Sequence, residues 1–373
     1  MSENTNDWQL TRRKFVTISA GALLVGASGL LAACTNTASS GGGDSSGGST
    51  TDSGSDTPVD EYPLGKTEIQ VLGGGVCGAP AYVALEKGYF KDEGIDVTPV
   101  AGSFQQQKDG LASGQFLVTN GDFQFFPAIN EGLDLKIIGG IHEGCIKLLV
   151  PKDSPITSVA ELKGKRIGVD EVGGTPWAIT SVALANEGID PNVEGGDVTW
   201  VPYDLSVLAE QADAGEVDAY AAWDPFGTEA ERTRGHKVLV DIGEGPIFGG
   251  KYCCFLYASG SAVSGQLEQV KALKKAWFKA IEWIAANPRE AAEIITSPAS
   301  ANGEPYVASE DIDLIETLLS SYHYASSHSS ADFSTAKSNT EYFVGELKKT
   351  GYLPEDLDVA AFVEKAVIDI DSL

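Results

Sequence analysis

The chain has 373 residues, with 26 Lys and Arg against 53 Asp and Glu, a formal net charge of −27. That sign excludes nucleic acid as a partner, because a phosphate backbone is held by clustered cations. It also removes the head of the protein as a membrane-binding surface, so attachment to a bilayer has to come from another part of the chain.

The first candidate for that role is the N-terminus. Thr11-Arg12-Arg13-Lys14-Phe15 precedes an apolar run over residues 16–33, which ends in Leu31-Ala32-Ala33-Cys34. Positive charge, an apolar segment and small residues before a cut are the layout of an export signal. The paired arginines resemble the twin-arginine signal, and Leu-Ala-Ala-Cys resembles the bacterial lipobox. The resemblance implies removal of residues 1–33 and acylation of Cys34. A spanning helix is the alternative. The run is near the lower length limit for spanning, Gly21, Gly26 and Gly29 dilute it, and the Cys motif is left unexplained. Residues 35–60 are almost entirely Ser, Gly, Thr and Asp, too polar to offset the entropy of ordering. Residues 34–60 are therefore expected to be a lipid-anchored, disordered tether, with a root-mean-square reach of about 28 Å. The 313 residues from Glu61 onward exceed what one hydrophobic core usually covers, so two lobes are expected.

From residue 66 the pattern alternates β-rich runs with helical segments, which predicts α/β lobes with open sheets. Strands are expected at 68–72, 96–100, 116–119, 136–139 and 146–150, with helices at 79–93, 106–113 and 123–131 between them. A second set follows, with strands at 165–169, 198–201, 219–222 and 238–240 and helices at 176–187, 206–214 and 224–234. After a run at 252–257 the rest is largely helical, including 266–286. The two sets look alike. Leu111-Ala-Ser-Gly114-Gln-Phe leads to Asp122, and Gln211-Ala-Asp-Ala-Gly215-Glu-Val leads to Asp224. Each reads as helix, glycine turn, strand and an Asp just past the strand. Hinges are expected at 147–152 and 251–257, where one set gives way to the next.

Several segments in this order resemble the nitrate/sulfonate/taurine family of binding proteins that serve ABC importers. They are residues 79–97 (APAYVALEKGYFKDEGIDV), 111–115 (LASGQ), 159–169 (VAELKGKRIGV), 214–219 (AGEVDA), Trp223-Asp-Pro-Phe226 and 277–288. The likeness runs from about residue 66 to 295. It implies a two-lobed type II periplasmic-binding-protein fold, each lobe an open, mostly parallel sheet flanked by helices, with a cleft between. On that fold residues 61–150 and 251–373 form the first lobe and residues 151–250 the second. The resemblance implies a small-molecule ligand, a permease and an ATPase as partners, and a membrane-anchored, extracytoplasmic monomer. It implies no enzyme activity, no cofactor and no metal.

The candidate ligand residues sit where strands run out into helices, the place where open α/β sheets bind ligands. Gly174, Thr175 and Trp177 belong to one such turn, with Thr175 as the expected cap, Pro176 in the first helical position and free N–H groups facing the cleft. Cys77 and Gly78 occupy the equivalent turn of the first set. A simple tight turn is the plain alternative there. Asn120 with Asp122, and Trp223 with Asp224, follow strands on opposite lobes. Either Asp can instead cap its following helix, and Trp223 can be a core residue. His142 and Glu143 lead toward a hinge and read equally as a hydrogen-bonded pair. Tyr203 follows the strand at 198–201. For the cysteines, the spacing supports no structural zinc site. Cys253-Cys254 reads as two small strand residues facing opposite ways, with a disulfide from Cys145 to either as the alternative.

Ligand chemistry stays open between two expectations. The family points to nitrate, sulfonates, taurine or bicarbonate. The acids and aromatics suit a planar heterocycle, such as a thiamine pyrimidine precursor, equally well. A rival from another class is a pyrimidine-synthase-like enzyme on the same fold, using Tyr252-Cys-Cys-Phe255 with His142.

Overall fold

The structure is a computed structural model that describes residues 61–71, 74–300, 303–325 and 330–373. The signal expected at 1–33, the acylation site Cys34 and the tether to residue 60 lie outside the described residues. No helix among the described residues is long and apolar enough to cross a membrane.

Among the described residues, ten strands organise the fold. They are β1 (Lys66–Gln70), β2 (Asp96–Val100), β3 (Val118–Gly121), β4 (Leu135–His142), β5 (Ile146–Val150), β6 (Arg166–Val169), β7 (Thr199–Pro202), β8 (Ala219–Trp223), β9 (Lys237–Asp241) and β10 (Cys254–Ser259). β1 pairs in parallel with β2, and a parallel bridge from Glu68 to Phe116 joins that pair to the β3-β10-β4 sheet. The second sheet has the order β7-β6-β8-β5-β9. Within each half the order is therefore second, first, third, a strand lent by the crossing chain, then fourth. The lent strands are β10 and β5, each antiparallel to both its neighbours. The chain passes between the sheets twice, at 143–145 and at 242–253. Since β5 pairs with β8 and β9, the five-stranded sheet already begins at Ile146, ahead of position 151.

Most predicted helices appear with shifted ends, and the shifts have local causes. The helix expected over 79–93 is two pieces, Ala79–Glu86 and Tyr89–Asp92, because Gly88 takes a φ of 74° that no L-helix continues through. The helix Phe104–Ser113 starts two residues early on a capping box. Ser103 Oγ accepts from the Gln106 amide at 3.3 Å, and Gln106 Oε1 accepts from the Ser103 amide at 2.8 Å. Left-handed glycines Gly114 and Gly215 end the helices before β3 and β8, as the repeated sequence pattern requires.

The 20-residue helix Leu267–Ala286 buries Val270, Leu273, Trp277, Ala280, Ile281 and Ile284. Most of these are three or four residues apart, and the broad apolar face they form packs chiefly against the helices Ala79–Glu86 and Tyr89–Asp92. Lys274 is buried on that helix and donates to Asp371 at 2.7 Å, which removes an otherwise uncompensated charge.

Candidate functional site: a cleft over a cysteine–histidine cluster

A cavity of about 330 Å³ opens where the parallel strands of both sheets end. From the first half come Gly75, Cys77 and Gly78 after β1, Gly102 and Phe104 after β2, and Asn120, Gly121, Asp122 and Gln124 at the end of β3. From the second come Asp170, Glu171, Thr175 and Pro176 after β6, and Trp223 at the end of β8. Cys145, Ile146 and Cys254, at the starts of the two lent strands, complete the lining. A molecule in this space touches both halves at once.

Local packing fixes these loops. Gln107 is fully buried, and its amide reaches Thr119 Oγ1 at 2.6 Å and the carbonyls of Gln70 and Asn120 at 3.1 and 3.3 Å. It thereby ties the end of β1 to the end of β3. Gly78 has to be glycine. A Cβ there would lie 2.5 Å from Val71 Cγ1 and 2.8 Å from the Tyr82 ring. Trp223 forms one wall, its Nε1 donating to Asp170 Oδ2 at 3.3 Å and its ring lying over Gly75.

Six of the twelve predicted ligand residues line the cavity: Cys77, Gly78, Asn120, Asp122, Thr175 and Trp223. Thr175 is not the cap. Gly174 holds that position without a side-chain bond, so Thr175 is the first helical residue of Thr175–Asn186. The buried oxygens Asn120 Oδ1, Asp170 Oδ1 and Thr175 Oγ1 have no hydrogen-bond partner among the described atoms, and all three residues face the cavity. Unsatisfied buried polar atoms are costly, and a bound polar molecule is the ordinary remedy.

The other six lie elsewhere. Trp177 is buried between Trp200 and Tyr352, ring centroids 5.7 and 5.8 Å away, on the inner face of its helix. Tyr203 packs beside Leu149 and Leu208 in the second half's own core. Glu143 accepts from the Gly250 amide at 3.0 Å and fastens the crossing segments together. Asp224 is engaged in internal hydrogen bonds, one residue ahead of Pro225, which is the N-cap of the helix Phe226–Arg234. The Asp224 Oδ1 accepts from Thr228 Oγ1 at 2.7 Å and from the Thr228 amide at 3.3 Å, and its Oδ2 from Tyr322 Oη at 3.2 Å. Gly174 stands one residue outside the lining, and His142 lies behind it.

Asp170 was missed by sequence reasoning, although it follows β6 as Asp122 follows β3 and Asp224 follows β8. Burial pushes the Asp122 carboxyl up to about 7, and the nearby Cys254 sulfur adds to the rise. Burial raises Asp170 and takes Asp224 to about 6. Desolvation penalises the charged form in each case.

The cavity floor departs most from the sequence expectation. Cys77, His142, Cys145 and Cys254 bring one ligand atom each to within 4.8 Å of all the others. Spacing along the chain could not reveal this grouping, because the four come from separate segments. Cys77 follows β1, His142 ends β4, Cys145 opens the crossing to β5, and Cys254 begins β10 opposite His142 in register. Cys77, Cys145, Cys253 and Cys254 are all free, so the alternative of a disulfide from Cys145 to Cys253 or Cys254 is not formed. Cys253 and Cys254 do not face opposite ways, their sulfurs being 3.6 Å apart. Cys253 lies ahead of the strand, and a register shift follows Cys254, so strand alternation does not apply.

The cluster is polarised. Hydrogen bonds from the Cys145 and Cys253 thiols hold the Cys254 thiol well below its usual value. Burial works against a charged His142, yet the Cys254 and Cys253 sulfurs beside it raise its pKa well above the usual imidazole range.

The comparisons with known proteins agree with this layout. Over 173 residues, 44% of this chain, it is 29% identical to a putative aliphatic sulfonates-binding protein of Bacillus subtilis (strain 168). That match spans half the length of the relative. Among solved structures it resembles the periplasmic nitrate-binding protein NrtA from Synechocystis PCC 6803, with a TM-score of 0.65, 17% identity, and 82% and 86% of the two chains covered. The alkanesulfonate-binding protein SsuA from Xanthomonas axonopodis pv. citri, bound to MOPS, gives a TM-score of 0.60 at 19% identity, covering 81% and 98%. The expected fold is thus the observed one, the α/β periplasmic-binding-protein fold. The family model described as NMT1/THI5 like matches residues 78–291, more than half of the sequence, and the chain belongs to that family.

Proposed function

We propose that this protein is the extracytoplasmic solute-binding component of an ABC importer, which captures a small molecule by closing two lobes and delivers it to a permease and its ATPase. The observation that carries the reading is the cavity itself. It is lined from both sheets, at the carboxyl ends of their parallel strands, and it presents buried polar atoms that lack partners. Contacts made to both halves at once favour a closed state by the difference in affinity between the two states. No turnover is assigned to the site. On this reading the N-terminus is a twin-arginine lipoprotein signal, Cys34 carries the lipid, and the residues up to 60 are the tether that keeps the monomeric head near its partners.

The ligand proposed first is a nitrate-, sulfonate- or taurine-like solute that presents an oxyanion group; the relatives are named for nitrate and sulfonates. The helix Thr175–Asn186 turns its N-terminus toward the cavity, and an Asp122 protonated near neutrality can donate to an oxyanion. A second reading rests on a specific feature. The lining contains Asp122, Asp170 and Glu171 but no Lys or Arg among the described residues, and Trp223 and Phe104 offer aromatic faces. That combination suits a planar heterocycle with hydrogen-bond donors, such as a thiamine pyrimidine precursor.

A thermal-shift panel of nitrate, taurine, alkanesulfonates and aminopyrimidines tests both readings. A ligand at 100 times its dissociation constant adds about 2.7 kcal/mol to stability. The expected result is a shift with one class, weakened in Trp223→Ala. A shift with aminopyrimidines alone moves the assignment to the second reading, and no shift with any compound refutes both.

A further inference from the structure

We propose that Cys77, His142, Cys145 and Cys254 form a binding site for one thiophilic d10 cation, zinc(II) or copper(I), at the floor of the cleft. Three thiolates and one imidazole are a ligand set that these ions take in four-coordinate sites. With a metal–sulfur bond of about 2.3 Å, two sulfurs of a tetrahedron stand about 3.8 Å apart. The Cys145 and Cys254 sulfurs are 3.9 Å apart, already at that spacing.

Three further observations separate this cluster from a chance grouping of buried cysteines. Cys145 is the one non-glycine residue with a positive φ among those described, at 90°. That conformation is costly for a residue with a Cβ and persists where the surroundings impose it, typically at functional sites. It lies in the tight turn that carries the chain from β4 to β5, three residues after His142. The imidazole is fixed as a metal ligand usually is. Its Nδ1 faces the Glu143 carbonyl at 3.1 Å, its ring stacks on Tyr322 with centroids 4.6 Å apart, and Nε2 is buried with no hydrogen-bond partner. A carbonyl on one ring nitrogen sets the tautomer that leaves a lone pair on the other. Finally, Cys253 supplies an outer contact. Its sulfur lies against the Gly144 carbonyl and 3.3 Å from the Cys145 sulfur, but it is outside the four-ligand group.

Cys77, Cys145 and Cys254 also line the cavity, so the bound ion lies under whatever solute occupies the space above. Cys145 stands on the first crossing between the sheets, which places the ion at the pivot of the two halves. The assignment does not depend on the transport reading, since metal is measured without any solute.

The test is metal analysis of the full chain, purified with reductant and without chelator, then exposed separately to zinc(II), copper(I) and iron(II) and freed of excess metal by gel filtration. The expected result is one zinc or one copper retained per chain. Retention is expected to fall by more than about tenfold in Cys145→Ser and in Cys254→Ser and to survive in Cys253→Ser. Cobalt(II) provides a second readout that does not rest on the variants. The parent chain should give thiolate-to-cobalt charge-transfer bands and the intense visible bands of tetrahedral coordination. Retention of iron alone would overturn the assignment, as would octahedral cobalt spectra. So would a cluster that holds no metal, whether its thiols titrate as free or the intact mass shows the loss of two hydrogens that marks a disulfide.

Discussion

Asp122 is where a single side chain makes the cleft sensitive to pH. Its carboxyl moves from the usual 3.8 to about 7, chiefly through burial. Between those values the folded chain holds a proton that the unfolded chain has released, so stability falls as pH rises from about 4 to about 7. Asp122→Asn has nothing to titrate there. Its unfolding free energy should be flatter across that window and exceed the parent's above pH 7 by about 2 kcal/mol, less than the full burial figure because the residue is not completely buried. Denaturant titrations at several pH values measure this, and parallel profiles for the two proteins would contradict it. Asp122 was legible in the sequence because a strand, a turn and an Asp form a local pattern. Asp170 obeys the same pattern and was open to the same reasoning. The Cys77–His142–Cys145–Cys254 cluster was not legible, since its members span 178 positions and only the two lent strands bring them together.

At the scale of elements, close backbone approaches set the geometry of the floor. Gly140 on β4 faces the Tyr252 ring, and a Cβ there would lie 2.0 Å from Tyr252 Cδ2. Tyr252 cannot easily retreat, because its amide donates to Asn339 Oδ1 at 2.8 Å and anchors the segment entering Cys253. Gly140→Ala should therefore cost about 1–3 kcal/mol by overpacking and shift the start of β10. Equilibrium unfolding checks the cost, and an unchanged midpoint would show that the ring is free to move. Helix and strand types were mostly readable from period and turn residues. Their ends were not, because caps such as Ser103 with Gln106 and breaks such as Gly88 outweigh periodicity over a residue or two. Sheet membership of Ile146–Val150 was also out of reach, since an apolar run of five residues carries no information about its partner.

Across the whole molecule, the repeated order of second, first, third, lent and fourth strand makes each half incomplete without a segment from the other side of the crossing. The duplication showed in the sequence as two helix–glycine–strand–Asp units. The exchange of β5 and β10 between the halves did not, because strand order is a long-range property. The chain crosses between the halves at 143–145 and 242–253, and the closure proposed above would turn about those crossings. The solute cleft and the thiol cluster both lie at that junction. Small-angle scattering of the head, with and without the compound that gives the largest thermal shift, measures this most directly. The account predicts a smaller radius of gyration and a shortened maximum dimension at saturating ligand. Identical profiles in the two states, with binding confirmed on the same sample, would contradict it.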